Sequence, residues 1–302
     1  MKGGDLALRE KEIFGIGIHR ILDKLHDEGA KHIMARSRQH ISVHELRKNI
    51  KKIRAILRLI RHEIGNEKYH KLNIQYRNLA AEIAILRDDT SQVELLDSMK
   101  ERVQNHSISR TIAKAMNQVK RKRKNNFASF YKEKRHKKVY DHILFCKEEV
   151  HKLEISGNPD LFILKSLKRI HSRARSAMEV SGFMKSDETY HYWRKQVKYL
   201  MYQMTILGIA WPAYFKAYTY ELNKLSNLLG KLHDLNLFNE HIHDEKLIVL
   251  KPAQKRVMLK YIYRKRADLK KKIAKTGVKL FSESSEAFCM RLYDFWISYQ
   301  PK

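Results

Sequence analysis

From Ser42 onward, apolar side chains fall at Val43, Leu46, Ile50, Ile53, Leu57, Ile60 and Ile64, in steps of three and four. That spacing keeps them on one face of an α-helix, so they predict a buried stripe. Ser42 and Glu45 fit a capping box, which predicts a helix from Ser42 to near Gly65. A second stripe follows at Tyr190, Trp193, Val197, Leu200, Met204 and Leu207. Thr189 stands where Ser42 stood, and Gly208 and Pro212 mark the end of the second helix.

Further helices are predicted at about 6–28, 67–86, 89–104, 107–123 and 127–155, then at about 160–181, 213–229, 233–244, 252–276 and 284–299. Alternating strand patterns bounded by tight glycine turns are missing, which argues against a β protein. The clearest break is Ser156-Gly157-Asn158-Pro159, near the midpoint. The expected fold is all-α: one domain over 1–302, built from two similar helical bundles, 1–155 and 156–302, related by an internal pseudo-twofold duplication.

A short motif carries the duplication. Val43-His44-Glu45-Leu46-Arg47-Lys48-Asn49-Ile50-Lys51 recurs 147 positions later as Tyr190-His191-Tyr192-Trp193-Arg194-Lys195-Gln196-Val197-Lys198. Each copy has an apolar residue before His, then Arg-Lys, then Lys. On the first helix His44, Arg47, Lys51, Arg54, Arg58 and Arg61 form a basic row beside the apolar stripe, with no acid to relieve it. The second row is shorter: His191, Arg194 and Lys198 occupy it, but Met201 and Thr205 stand where Arg54 and Arg58 were. With caps at Ser42 and Thr189, each His becomes the second helical residue, beside unpaired backbone N–H groups that attract anions. Neighbouring cations and the dipole then resist protonation of His44 and His191 in the free protein.

A second repeated element is Leu86-Arg87-Asp88 and Leu232-His233-Asp234. Its Asp either orients the arginines of the motif helix or caps a helix, as Asp88 or Asp89 suits.

Charge extends this picture to the whole chain. There are 62 Lys and Arg against 33 Asp and Glu, a formal charge of +29. The halves carry +15 and +14, so the charge belongs to the body of the protein and not to a tail. Such a chain attracts polyanions: nucleic acid, inorganic polyphosphate or an anionic membrane surface. Lys120 to Lys138 holds ten Lys and Arg and one acid, and is either a solvated helix end or a polyanion-binding arm.

No apolar run approaches the ~18 residues of a membrane span. The opening stretch is broken by Asp5, Arg9, Glu10, Lys11 and Glu12. Cys146 and Cys289 have no metal-like spacing, so neither a disulfide framework nor a zinc ribbon is indicated, and no metal or other cofactor is expected. The expected setting is soluble and cytoplasmic.

Taken in order, these motifs resemble the CHAD domain (conserved histidine α-helical domain) across nearly the whole chain. The resemblance rests on the two His-x-x-Arg helices and on the later apolar helices that run into Leu86-Arg87-Asp88 and Leu232-His233-Asp234. It implies two helical bundles around a basic groove and binding of inorganic polyphosphate, from which residence on polyphosphate granules is an expectation. The implied binding residues are His44, Arg47, Lys48, Lys51, Arg54, Arg58, His191, Arg194, Lys195 and Lys198. It also implies a binding protein and not an enzyme, since catalysis in fused relatives lies in a partner domain.

Two alternatives stand beside this one. A nucleic-acid-binding protein fits the charge, although no recognised DNA-reading module is present. A phosphohydrolase or phosphotransferase using His44 or His191 lacks the carboxylate cluster that metal-assisted chemistry wants. His241-Ile242-His243-Asp244 is read as plain surface.

Overall fold

A computed structural model describes residues 6–299, apart from the side chain of Leu161, and these residues form helices and turns with no strand. The first half comprises α1 (Phe14–Met34), α2 (Gln39–Leu59), a single turn α3 (Arg61–Ile64), α4 (Asn66–Glu82), α5 (Ala84–Arg102), α6 (His106–Lys132) and α7 (Arg135–His151). The second comprises α8 (Pro159–Met184), α9 (Asp187–Ile206), a 3-10 turn at Leu207–Ala210, α10 (Pro212–Asp244), α11 (Pro252–Leu280) and α12 (Ser285–Tyr299). Helix starts recur down the chain: Phe14 with Pro159, Gln39 with Asp187, Asn66 with Pro212, His106 with Pro252, Arg135 with Ser285.

Both apolar stripes are buried in full, from Val43 to Ile64 and from Tyr190 to Leu207. They belong to one apolar cluster that also takes in Ile18, Leu22, Tyr76, Ile143, Leu167, Leu225 and Phe288. That cluster crosses the midpoint of the chain. A smaller cluster packs Leu96, Ile112 and Met116 of the α5–α6 hairpin against Phe238, Ile242 and Met258 of the α10–α11 hairpin. Cys146 and Cys289 are buried, and burial pushes each thiol up to about 12.

Several boundaries differ from the expectation. α1 begins at Phe14 and runs to Met34, not over 6–28. α2 begins three residues before Ser42, after Arg38 takes a left-handed turn (φ 47°) whose carbonyl accepts from the Ile41 and Ser42 amides. Ser42 is therefore buried inside the helix, and Glu45 pairs with Lys48 at 2.9 Å instead of closing a capping box. In the second half Ser186, not Thr189, is the cap, and its hydroxyl accepts from the Thr189 amide. α6 is continuous through Lys120–Lys124, because buried Val119, Phe127 and Phe130 carry its apolar face past the basic run. α10 likewise runs unbroken through Leu229, Leu232 and Leu235. Asp88, Asp89 and Asp234 thus sit inside helices, and none of them is a cap.

Candidate functional site: a cationic cleft

The two motif helices, α2 and α9, lie against each other. Gln203 Nε2 donates to the Ala55 carbonyl at 3.2 Å, and the Arg58 guanidinium stands 4.0 Å over the Tyr199 ring. Because each basic row runs one residue out of phase with its buried stripe, burying the stripes brings the rows to the seam. His44, Arg47, Lys48, Arg54, Arg58, Arg194 and Lys198 are half-buried there, while Lys51, His191 and Lys195 stay exposed. Lys51, Arg54, His191, Arg194, Lys195 and Lys198 share one hollow of about 140 Å³ with Tyr199 and Tyr202. Six of the ten expected residues, from both copies, therefore line one hollow, while His44, Arg47, Lys48 and Arg58 lie outside its lining. His44 lies toward one end, among Arg87, Glu94 and Lys48.

The electrostatics are those of crowded cations. Burial, then repulsion from Lys198, Arg47, Arg194 and Arg87, pushes Lys51 from 10.5 to about 7, although its side chain still meets water at the cleft mouth. Burial, then Arg194 and Lys48, brings Lys198 down to about 8. His44 and His191 both move below the usual imidazole value, as the sequence indicated. Burial is the main cause, followed by Arg87 for His44 and by His233 for His191. The His191 and His233 rings are 4.9 Å apart.

The helix N-terminus does not contribute in the way expected. With caps at Arg38 and Ser186, His44 and His191 lie more than a turn inside their helices, where backbone N–H groups are already bonded.

The arginines are held in place by neutral partners. Arg47 Nη1 donates to the Ala80 carbonyl at 3.3 Å, and Arg54 Nε donates to Asn73 Oδ1 at 3.1 Å. Arg58 Nη1 donates to the Arg54 carbonyl at 2.6 Å. Neutral acceptors fix the forks and leave their charge uncancelled. Arg194 passes over Gly230 of α10, where an added Cβ would meet its Nη2 at 3.0 Å. Asp234, one turn on, offsets part of the effect of burial on Arg194, while the buried Arg194 Nε has no hydrogen-bond partner among the described residues. Asp88 plays the corresponding electrostatic part for Arg47.

Sequence reasoning missed cations from other helices. Arg87 of α5 faces Arg47, Lys51 and Arg194. Arg77 of α4 and Arg173 of α8 lie around Lys195, and Arg169 of α8 lies by Arg58 and Arg61. The second wall, which loses its row at Met201 and Thr205, is therefore supplemented from α8. A signal existed: Lys165, Arg169 and Arg173 step by four on one helix face.

The other features are unlike this cleft. A roomier hollow of about 740 Å³ between α10 and α11 has an apolar floor including Tyr218 and Leu228, with Lys272, Lys275 and Lys279 at its rim. Among the described residues no group of three or more His, Cys, Asp or Glu is placed to hold a metal ion. No described helix is long and apolar enough to cross a membrane.

A comparison with curated proteins returns no match. A comparison with protein families matches residues 18–243 to the CHAD domain. The match reaches from α1 to the last turn of α10 and takes in both motif copies and the helices that wall the cleft. By that match over well more than half its length, the chain belongs to the CHAD domain family.

Proposed function

We propose that the cleft between α2 and α9 binds inorganic polyphosphate without chemical turnover. Membership in a family of non-catalytic binding modules with a polyphosphate-related role supports the ligand class. The observation that carries the assignment to these residues is the convergence of Arg47, Lys51, Arg194 and Lys198 on one seam, where burial first and mutual repulsion second depress the lysines. An extended chain of phosphates fits this arrangement because it presents closely spaced charge to a narrow channel. Arg47 and Arg194 supply forked donors, Lys48, Lys51, Lys195 and Lys198 supply mobile point charges, and Arg54 and Arg58 extend the track. His44 and His191 gain protons as the anion arrives.

We further read the halves as related by a pseudo-twofold axis near the crossing of α2 and α9. Lys51 and Lys198, equivalent in the motif, are neighbours there. Gln254 Nε2 donates to Ser107 Oγ at 2.8 Å, a contact spanning 147 positions, the motif's own offset. Residence in the cytoplasm or on polyphosphate granules belongs to the same proposal.

The test is competition between long-chain polyphosphate and a mixed-sequence RNA at two salt concentrations, with Arg47→Gln/Arg194→Gln beside the parent. Polyphosphate should win at physiological salt, and the double variant should bind it at least tenfold more weakly. Equal or tighter RNA binding by the parent would overturn the assignment.

A further inference from the structure

Helix α6 runs for 27 residues with eight Lys and Arg and no acid. Its aromatic side chains Phe127 and Phe130 are buried and Tyr131 is half-buried, so its outward face holds Lys, Arg, Asn, Gln, Ser and Ala, with His106 exposed at its start. Arg110, Lys114, Lys120, Arg121 and Lys124 are exposed, and none has an ion-pair partner among the described residues. Arg110 with Lys114, and Lys120 with Lys124, are like-charged pairs four apart, each destabilising a helix by about 0.2–0.5 kcal/mol. The helix nonetheless stays whole.

Besides its buried apolar face, one buried carboxylate ties it to α5. Asp89 of α5, 2% exposed, accepts from Asn126 Nδ2 at 2.6 Å and pairs with Lys122 at 3.4 Å. Arg87, two positions earlier, points into the cleft. Two positions on a helix lie on nearly opposite faces, so α5 separates the α6 ridge from the cleft by about one helix spacing, roughly 8–10 Å. The surfaces come together at the start of α2, where half-buried Arg123 of α6 lies beside His40, one turn before His44.

We propose that the outward face of α6 is a second polyphosphate-binding surface, engaged by chains long enough to leave the cleft past His44, His40 and Arg123. The proposal rests on the cleft being the primary site. A chain already held there is tethered beside the ridge, so weak contacts add to affinity through effective concentration. Polyphosphate is favoured over RNA because the Lys120–Lys124 stretch offers point charges with no exposed ring beside them on which bases could stack; the exposed His106 lies at the far end of the helix.

The full chain carrying Lys120→Gln, Arg121→Gln and Lys124→Gln tests this, with unchanged thermal unfolding as the control for folding. Tripolyphosphate affinity should match the parent. Affinity for long-chain polyphosphate should fall about tenfold, and its salt slope should shallow by roughly two for three lost phosphate contacts. An unchanged long-chain affinity and slope would overturn the proposal. So would loss of tripolyphosphate binding, which would make the ridge part of the primary site. Loss of RNA binding alone, with long-chain polyphosphate unaffected, would reassign the ridge to nucleic acid. Failure of the cleft is read separately, as undiminished tripolyphosphate binding by Arg47→Gln/Arg194→Gln.

Discussion

Proton uptake on binding follows most directly from Lys51. In the free protein its ammonium, at about 7, is roughly half charged at neutral pH. A bound polyanion favours the charged form, so a free lysine that has lost its proton must regain it on binding. The sign is therefore fixed: affinity falls as pH rises above about 7, and stops falling once the pKa in the complex is passed. Each unit of that climb is worth about 1.4 kcal/mol for a fully coupled group, so about two units correspond to roughly a hundredfold. The Lys51 side chain is exposed, however, and solvent screening reduces its share. About tenfold weaker binding from about pH 7 to about pH 9 is expected, with Lys198, at about 8, contributing toward the upper end. The assay is calorimetric titration with long-chain polyphosphate in buffers of different ionisation enthalpy, which reports affinity and protons together. Lys51→Met should bind more weakly at pH 7 and lose much of the pH dependence. Flat affinity across this range, or an unchanged pH profile in Lys51→Met, would refute the reasoning.

Two further outcomes are accessible. Burial holds His26 and His171 at about 4, so each is neutral in the fold and gains a proton more readily when unfolded. Their contribution to stability is present above about pH 6.5 and is lost as pH falls toward 4, on the order of 3 kcal/mol per histidine. Urea unfolding at stepped pH, with imidazole NMR titrations, checks this; a ring titrating near 6.5 would contradict it. Gly230→Ala places a Cβ against the flexible end of Arg194, inside a helix that prefers Ala by about 1 kcal/mol. It should leave stability equal or higher while weakening polyphosphate binding several-fold, and unchanged affinity would show that the Arg194 pose is unimportant.

The buried stripes and the placing of the basic rows beside them were legible because both follow from helical periodicity alone. Helix ends were less so. Asp88 and Asp234 look like caps in sequence, but the apolar spacing of Leu86, Leu232 and Leu235 continues through them and the helices continue with it. The N-termini of α2 and α9 were misplaced for a related reason: Arg38 in a left-handed turn and Ser186 start each helix before the motif. Arg77 and Arg87 were hidden, and Arg169 and Arg173 were visible only as a basic row on α8, because their part in the cleft depends on which helices pack around α2 and α9. That is decided by the shared core, from Tyr76 to Leu167 and Leu225, which no local spacing reveals.

A structure of the chain with a short polyphosphate bound tests the cleft most directly. Phosphates between α2 and α9, within hydrogen-bond reach of Arg47, Lys51, Arg194 and Lys198, are the predicted result. Phosphates confined to α6, α11 or another outer face, with the cleft unoccupied, would contradict it.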